Sequence, residues 1–134
     1  MRAVRIVFMW LERAFLAGLV LQLFFIGFGV FPRKGDSNPF GLHRSWGFIL
    51  ADIAVVLFLL AIAARLGWRT VLLAFVVGLL TFLAQPLLVS ARHKAPVVAA
   101  LHPVDALLIF WLTLVLMRRA SALVSSGAPA PREA

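Results

Sequence analysis

The chain has 134 residues, 63% of them hydrophobic, with a mean hydropathy of +1.05. Soluble domains run at about 45–50% apolar residues even with glycine counted, so this composition excludes an ordinary soluble domain; the long apolar runs indicate an integral membrane protein of one domain. The formal net charge is +8, but the cations sit in short clusters between apolar runs, the pattern of membrane orientation rather than of a nucleic-acid surface, and the lack of cysteine excludes disulfides and thiolate metal sites.

Residues 1–13 read as a basic amphipathic lead-in with Arg2, Arg5 and Arg13, and Trp10 sits where indole rings favour the membrane interface. The apolar run behind it lacks a small-x-small cleavage site, so a retained span is expected rather than a signal peptide. Span one covers 14–31 and is interrupted only by Gln22. Gly18, Gly27 and Gly29 allow close approach of a neighbouring helix, within the bundle or in a homodimer. A loop of turn formers follows, ending in Asn38-Pro39, an N-cap residue before a proline and hence a helix start.

Span two covers 40–64, with Asp52 its one internal charge. Asp52 falls half a turn from His43 on the helical wheel, and it is expected to bond Gln22 or a backbone group, or to carry a proton. The connection Arg65-Leu66-Gly67-Trp68-Arg69 is tight, so spans two and three are antiparallel neighbours. Span three covers 70–89, and Pro86 should kink it near its far end. Span four covers 97–117, with two possible starts. Pro96 as the first helical residue leaves His102 inside the helix; Pro103 as the first leaves His102 just outside and Asp105 in the first turn. Residues 120–134 are rich in Ala, Ser, Pro and Gly and read as a disordered cytoplasmic tail. The fold expected is an all-α antiparallel bundle of four transmembrane helices, built from two helix hairpins.

Orientation follows from the cations. The N-terminal segment, the turn at 65–69 and the C-terminal segment together carry eight, against five in the other two loops. The positive-inside rule then puts both termini in the cytoplasm of a cell (inner) membrane, and His43, His93 and His102 toward the outer side. The glutamines and histidines also repeat: Gln22 precedes His43 by 21 residues, and Gln85 precedes His102 by 17. Two hairpins related by an axis along the membrane normal would bring the two histidines face to face.

Two imidazoles at one depth, on separate helices, suit the two axial positions of a haem iron. The expected site is therefore a bis-histidine haem b at His43 and His102, with Arg44 and neighbouring cations available to the propionates. Phe24, Phe25, Phe48, Phe110 and Trp111 are available to pack on the macrocycle, and Asp105 and Gln85 to orient the ligands. Interfacial histidines bonded to carbonyls remain the simpler alternative. A zinc site of His43, His93 and His102 is geometrically open, although it lacks the usual i, i+4 pair. His93, between Arg92 and Lys94, reads as solvated, or as a substitute for His102 if the span-four boundary is misplaced.

At His43-Arg44 the chain resembles one four-helix half of heme A synthase, in which helix two opens with His-Arg on the outer side and helix four carries a second histidine near its outer end. The likeness covers residues 14–117 and implies a haem held between His43 and His102. The family's glutamate three residues before the first histidine is replaced here by Phe40, and its cysteine pair is absent. What carries over is haem binding rather than oxidation of a haem methyl group. The chain is also similar to small, uncharacterised four-span bacterial membrane proteins with paired histidine segments.

Three functions follow as expectations. One is a small b-type haem-binding protein for electron transfer or haem handling, working with a redox partner or a larger membrane complex. Another is a non-haem accessory or structural membrane subunit. The last is a small transporter with Asp52 as its coupling carboxylate. No Ser/His/Asp set, outer carboxylate pair or phosphate loop points to an enzyme with its own chemistry.

Overall fold

The structure, a computed structural model, describes residues 2–32 and 34–125. Among them it is all helix and loop, with no strand. Hydrocarbon offers no partner to a backbone N–H or carbonyl, so apolar runs of this length close their hydrogen bonds within helices. Four helical stretches are long and apolar enough to cross a membrane: Arg2–Val30, Gly41–Ala63, Trp68–His93 and Pro96–Ser125. The protein is an antiparallel four-helix bundle of multi-pass membrane type.

The first stretch, α1 (Arg2–Val30), is longer than the sequence suggested. The basic lead-in is not a separate segment but the first turns of the same helix. Phe8, Glu12, Phe15 and Gly18 recur at helical spacing along its buried face. Arg5 reaches from this helix to the chain's first tight turn: its Nε donates to the carbonyl of Ala64 at 3.2 Å and its Nη2 to that of Arg65 at 3.4 Å. A cation there meets the orphan carbonyls and the negative pole at the end of the second helix.

That helix, α2 (Gly41–Ala63), ends in a Schellman turn, with Arg65 in the left-handed region at φ 51°. The N–H of Leu66 donates to Ala61 and that of Arg65 to Ile62, while the Leu66 side chain is buried. Gly67, at φ 83°, then starts the next helix. The turn is the tight antiparallel connection the sequence indicated.

The third stretch is built from α3 (Trp68–Leu79), a π-helical turn over Leu80–Ala84 and α4 (Gln85–Ser90), with a 3-10 turn at Ala91–His93. Pro86 lacks an N–H for the carbonyl of Phe82, and its ring crowds that turn. The expected kink therefore takes the form of a widened turn placed directly before Gln85.

The fourth stretch uses both candidate starts. A single turn, α5 (Pro96–Ala99), is followed by a break at residues 100–101, and α6 (His102–Ser125) begins at the histidine itself. Pro103 cannot donate to Ala99, so the helix restarts, with Leu101 N–H donating to Val98 and Asp105 N–H to Leu101. Helix α6 also runs to Ser125, past the Arg118-Arg119 pair where the sequence placed its end. Of the expected disordered tail, residues 120–125 are helical and residues 126–134 lie outside the described residues.

Around the bundle, α2 packs on α1 and α3, and α6 packs on α1 and α3 and, further along, on α4. Helices α2 and α6 therefore face each other across a diagonal, as do α1 and the third stretch. Small residues set the spacing: Gly18 sits under Leu50 and Trp46, and Gly78 lies against the Ala54 carbonyl. Gly29 is closed by the loop: an added Cβ would stand 2.7 Å from the Pro39 carbonyl oxygen and 2.5 Å from a Phe40 ring carbon. Gly29→Ala should cost about 1–3 kcal/mol of stability, because backbone as well as ring has to give way. Its thermal midpoint in detergent should fall, while Gly27→Ala, whose Cβ meets nothing within 4 Å, should leave the midpoint in place. Equal midpoints would refute the packing account.

Candidate functional site

Fully buried residues crowd the end of the bundle that carries Arg2 and Ser125. On α2 they begin at Leu50 and on α6 at Ile109, and α4 and α5 contribute none. The opposite end, where the histidines lie, is more open. Four polar residues from four different helical stretches meet there.

His43, the third residue of α2, lies on the same wheel face as Leu50, Ala54, Leu57 and Ala61, so the apolar face that packs the core also points the imidazole inward. His102 is brought in by the restart of α6. The two rings, from diagonal helices, have centroids 6.3 Å apart and planes at 76°. The matched depth read from the sequence thus becomes a direct juxtaposition.

Each histidine is held by the glutamine that repeats with it. Gln22 Nε2 donates to the carbonyl of His43 at 3.0 Å, and Gln85 Nε2 donates to the carbonyl of His102 at 3.1 Å. The internal repeat is therefore one of hydrogen bonds as well as of residue order. The two halves differ in their second contact. His43 Nδ1 lies 3.3 Å from the backbone oxygen of Gln22, and with the proton on Nδ1 it donates there. That tautomer leaves the Nε2 lone pair free. On the other side Gln85 Nε2 also donates to Asp105 Oδ2 at 2.7 Å, holding the carboxylate on the His102 face of α6. Gln22 Oε1 and His102 Nδ1 are buried without a hydrogen-bond partner. Buried orphans of this kind are uncommon and call for a ligand or another explanation.

Of the other expected site residues, Arg44 is exposed beside His43, as are Lys34, Arg92 and Lys94 at the same end; Arg33 lies outside the described residues. Phe25 stands edge-on to Trp46 at 6.0 Å, and the Trp46 indole N–H donates to the carbonyl of Gly18. Phe24 and Phe48 are exposed, 62% and 61%, and Phe110 is half-buried. Trp111 does not join the site. It is half a turn round α6 from His102, about 13 Å further along the helix, and faces outward. The Gln22 contact expected for Asp52 does not form: the Gln22 amide goes to His43, and Asp52 is exposed on the outward face of α2. His93 is exposed in its 3-10 turn, and among the described residues no group of three His, Cys, Asp or Glu side chains converges, so the three-histidine zinc arrangement does not form.

One residue of chemical interest escaped the sequence reading. Glu12 is fully buried on α1, near the end remote from the histidines, and neither carboxyl oxygen has a hydrogen-bond partner. Among Arg2, Arg5 and Arg13 it reads as one more surface charge. The signal was its phase, four residues after Phe8 and three before Phe15, on the face that packs.

No family model matches the chain, and comparison with curated proteins and with solved structures also finds no match.

Proposed function

We propose that this bundle binds one haem b between His43 and His102 and serves electron transfer or haem handling. The observation that carries the reading is the pair of imidazoles presented across the diagonal at 6.3 Å between centroids. Two metal–imidazole bonds of about 2 Å each, with roughly 2 Å more for the two ring radii, call for a separation of about 6 Å. Bound there, a haem would supply one-electron chemistry. Everything else is supplied by the chain. The Gln22 backbone oxygen orients the His43 ring, and Gln85 holds the His102 turn and Asp105. Exposed Lys34, Arg44, Arg92 and Lys94 suit carboxylate propionates at that end.

The charge count supports an inner-membrane orientation with both termini cytoplasmic and the histidines toward the outer side. A topology reporter fused after Arg132 should be active only in the cytoplasm; activity only on the far side would reverse the orientation.

The test of the haem reading is a reduced-minus-oxidised visible spectrum of the full chain, purified from cells supplied with ample haem. A low-spin b-type spectrum at about one haem per chain is expected. A colourless protein would reduce the histidines to a structural polar layer, since 6.3 Å also lies within the range of direct edge contact between rings, and the accessory-subunit reading would replace this one.

A further inference from the structure

Asp52 lies in the apolar middle of α2 and faces directly away from the bundle. The packed face of that helix is Leu50, Ala51, Ala54, Leu57 and Ala61, and at 100° per residue Asp52 falls on the opposite side. It is about 9 Å along the helix from Trp46 and about 16 Å from Ala63, too deep for a side chain this short to reach either interface. Carboxylates within membrane spans almost always face protein or a wet cavity rather than lipid. The residues around it form a stripe of Ser45, Ile49, Asp52, Val56, Leu59 and Ala63, separated by alternating steps of four and three and all exposed. That alternation is the seam of a left-handed helix pair.

We propose that this stripe is the interface of a parallel, two-fold symmetric dimer, in which Asp52 of each copy meets Asp52 of the partner subunit. Copies of one chain insert under the same charge bias, so their α2 helices run parallel with Asp52 at equal depth. The polar groups of the stripe are self-complementary: a hydroxyl, and a carboxyl pair that hydrogen-bonds when the two groups share a proton. No cation lies on it to answer a different subunit's carboxylate. A foreign partner would have to bring its own donor to this depth, whereas a second copy brings one by symmetry. A lone polar residue in an apolar seam fixes register and partner number, and Ser45 and Ala63 keep the two ends of the seam small. Of the three α1 glycines only Gly27 is open, and a single open glycine makes no close-approach stripe. Gly18 and Gly29 are already closed by Leu50 and Phe40 of the same chain.

The test uses the full chain in its native membrane, where the absence of cysteine makes an introduced thiol unique. Val56→Cys should give a disulfide-linked homodimer on mild oxidation. Leu107→Cys, exposed on α6 across the diagonal from α2, should remain monomeric and so measures random collision. Adding Asp52→Leu to Val56→Cys should lower the cross-linked fraction by about three- to fifteen-fold, the range of single interhelical hydrogen bonds in membranes. Adding Asp52→Asn, which still donates and accepts, should preserve most of it. Because Asp52 is exposed on the outward face of α2, the leucine variant should fold and insert. Cross-linking at position 56 no greater than at position 107, or cross-linking indifferent to Asp52→Leu, overturns the proposal, as does recovery of Val56→Cys linked only to a different protein. None of these outcomes depends on haem being bound.

Discussion

Replacing His43 or His102 by alanine is expected to abolish the low-spin haem spectrum, and His93→Ala to leave it unchanged. With either imidazole gone, a haem would be held from one helix only, and the two diagonal helices would lose their common ligand. The glutamines give a graded control. Gln22→Leu and Gln85→Leu keep both ligands but remove the donors to the His43 and His102 carbonyls, and Gln85→Leu also frees Asp105. Outer partners of this kind are worth about 10–100-fold in metal affinity, so haem should be retained but lost readily on dilution. Haem titration of the purified chains, read from the Soret band, separates the classes. A normal low-spin spectrum in His102→Ala would exclude the shared site, whatever the other variants did. A spectrum lost in His93→Ala would move the second ligand to the 3-10 turn.

Much of this site was legible in the sequence because a polar residue in an apolar run is conspicuous. Gln22 is the only hydrogen-bonding side chain of span one, and the order of glutamine then histidine in each hairpin pairs the two histidines, although it does not give Gln22 to the His43 carbonyl. Span number followed from the length of the apolar runs, and the turn at 65–69 could only be tight. Phase was harder to read. Trp111 was offered to the haem because it is aromatic and on the right helix, yet nine positions from His102 turn it to the opposite side. The same count places Asp52 away from His43, and its outward phase puts it out of reach of Gln22 as well. The start of span four stayed open because two prolines each satisfy the rules for a first helical residue. The chain uses both, with a break between them that hydropathy does not register.

Glu12 shows the opposite failure: a charge that looked ordinary because cations surround it in sequence. In the fold, Arg2 and Arg13 turn to the flanks of α1 and Arg5, on the same face one step further along, is engaged by the Ala64 and Arg65 carbonyls, while the carboxyl enters the core cluster between Phe8 and Phe15. By helix rise it lies about 15 Å along the axis from Gln22, so it makes no contact with the histidine pair. Ionised, a carboxylate there has lost its hydration; neutral, it still leaves an acceptor and a donor unmatched. Leucine fills a similar volume without either demand. Glu12→Leu is therefore expected to stabilise the bundle by about 1–3 kcal/mol, the cost of one unsatisfied buried polar group, and to raise the thermal midpoint in detergent. Phe15→Ala, which empties a fully buried aromatic position one turn away, should lower stability by about 3–5 kcal/mol and calibrates the assay. The haem spectrum should survive Glu12→Leu, since none of the four residues of the histidine site touches this level of the bundle. A leucine variant less stable than the parent would mean that the carboxyl has a partner, a bound cation or an ordered water, whose loss outweighs the gain in apolar packing. A stable variant with an altered spectrum would mean that the two ends of the bundle are coupled.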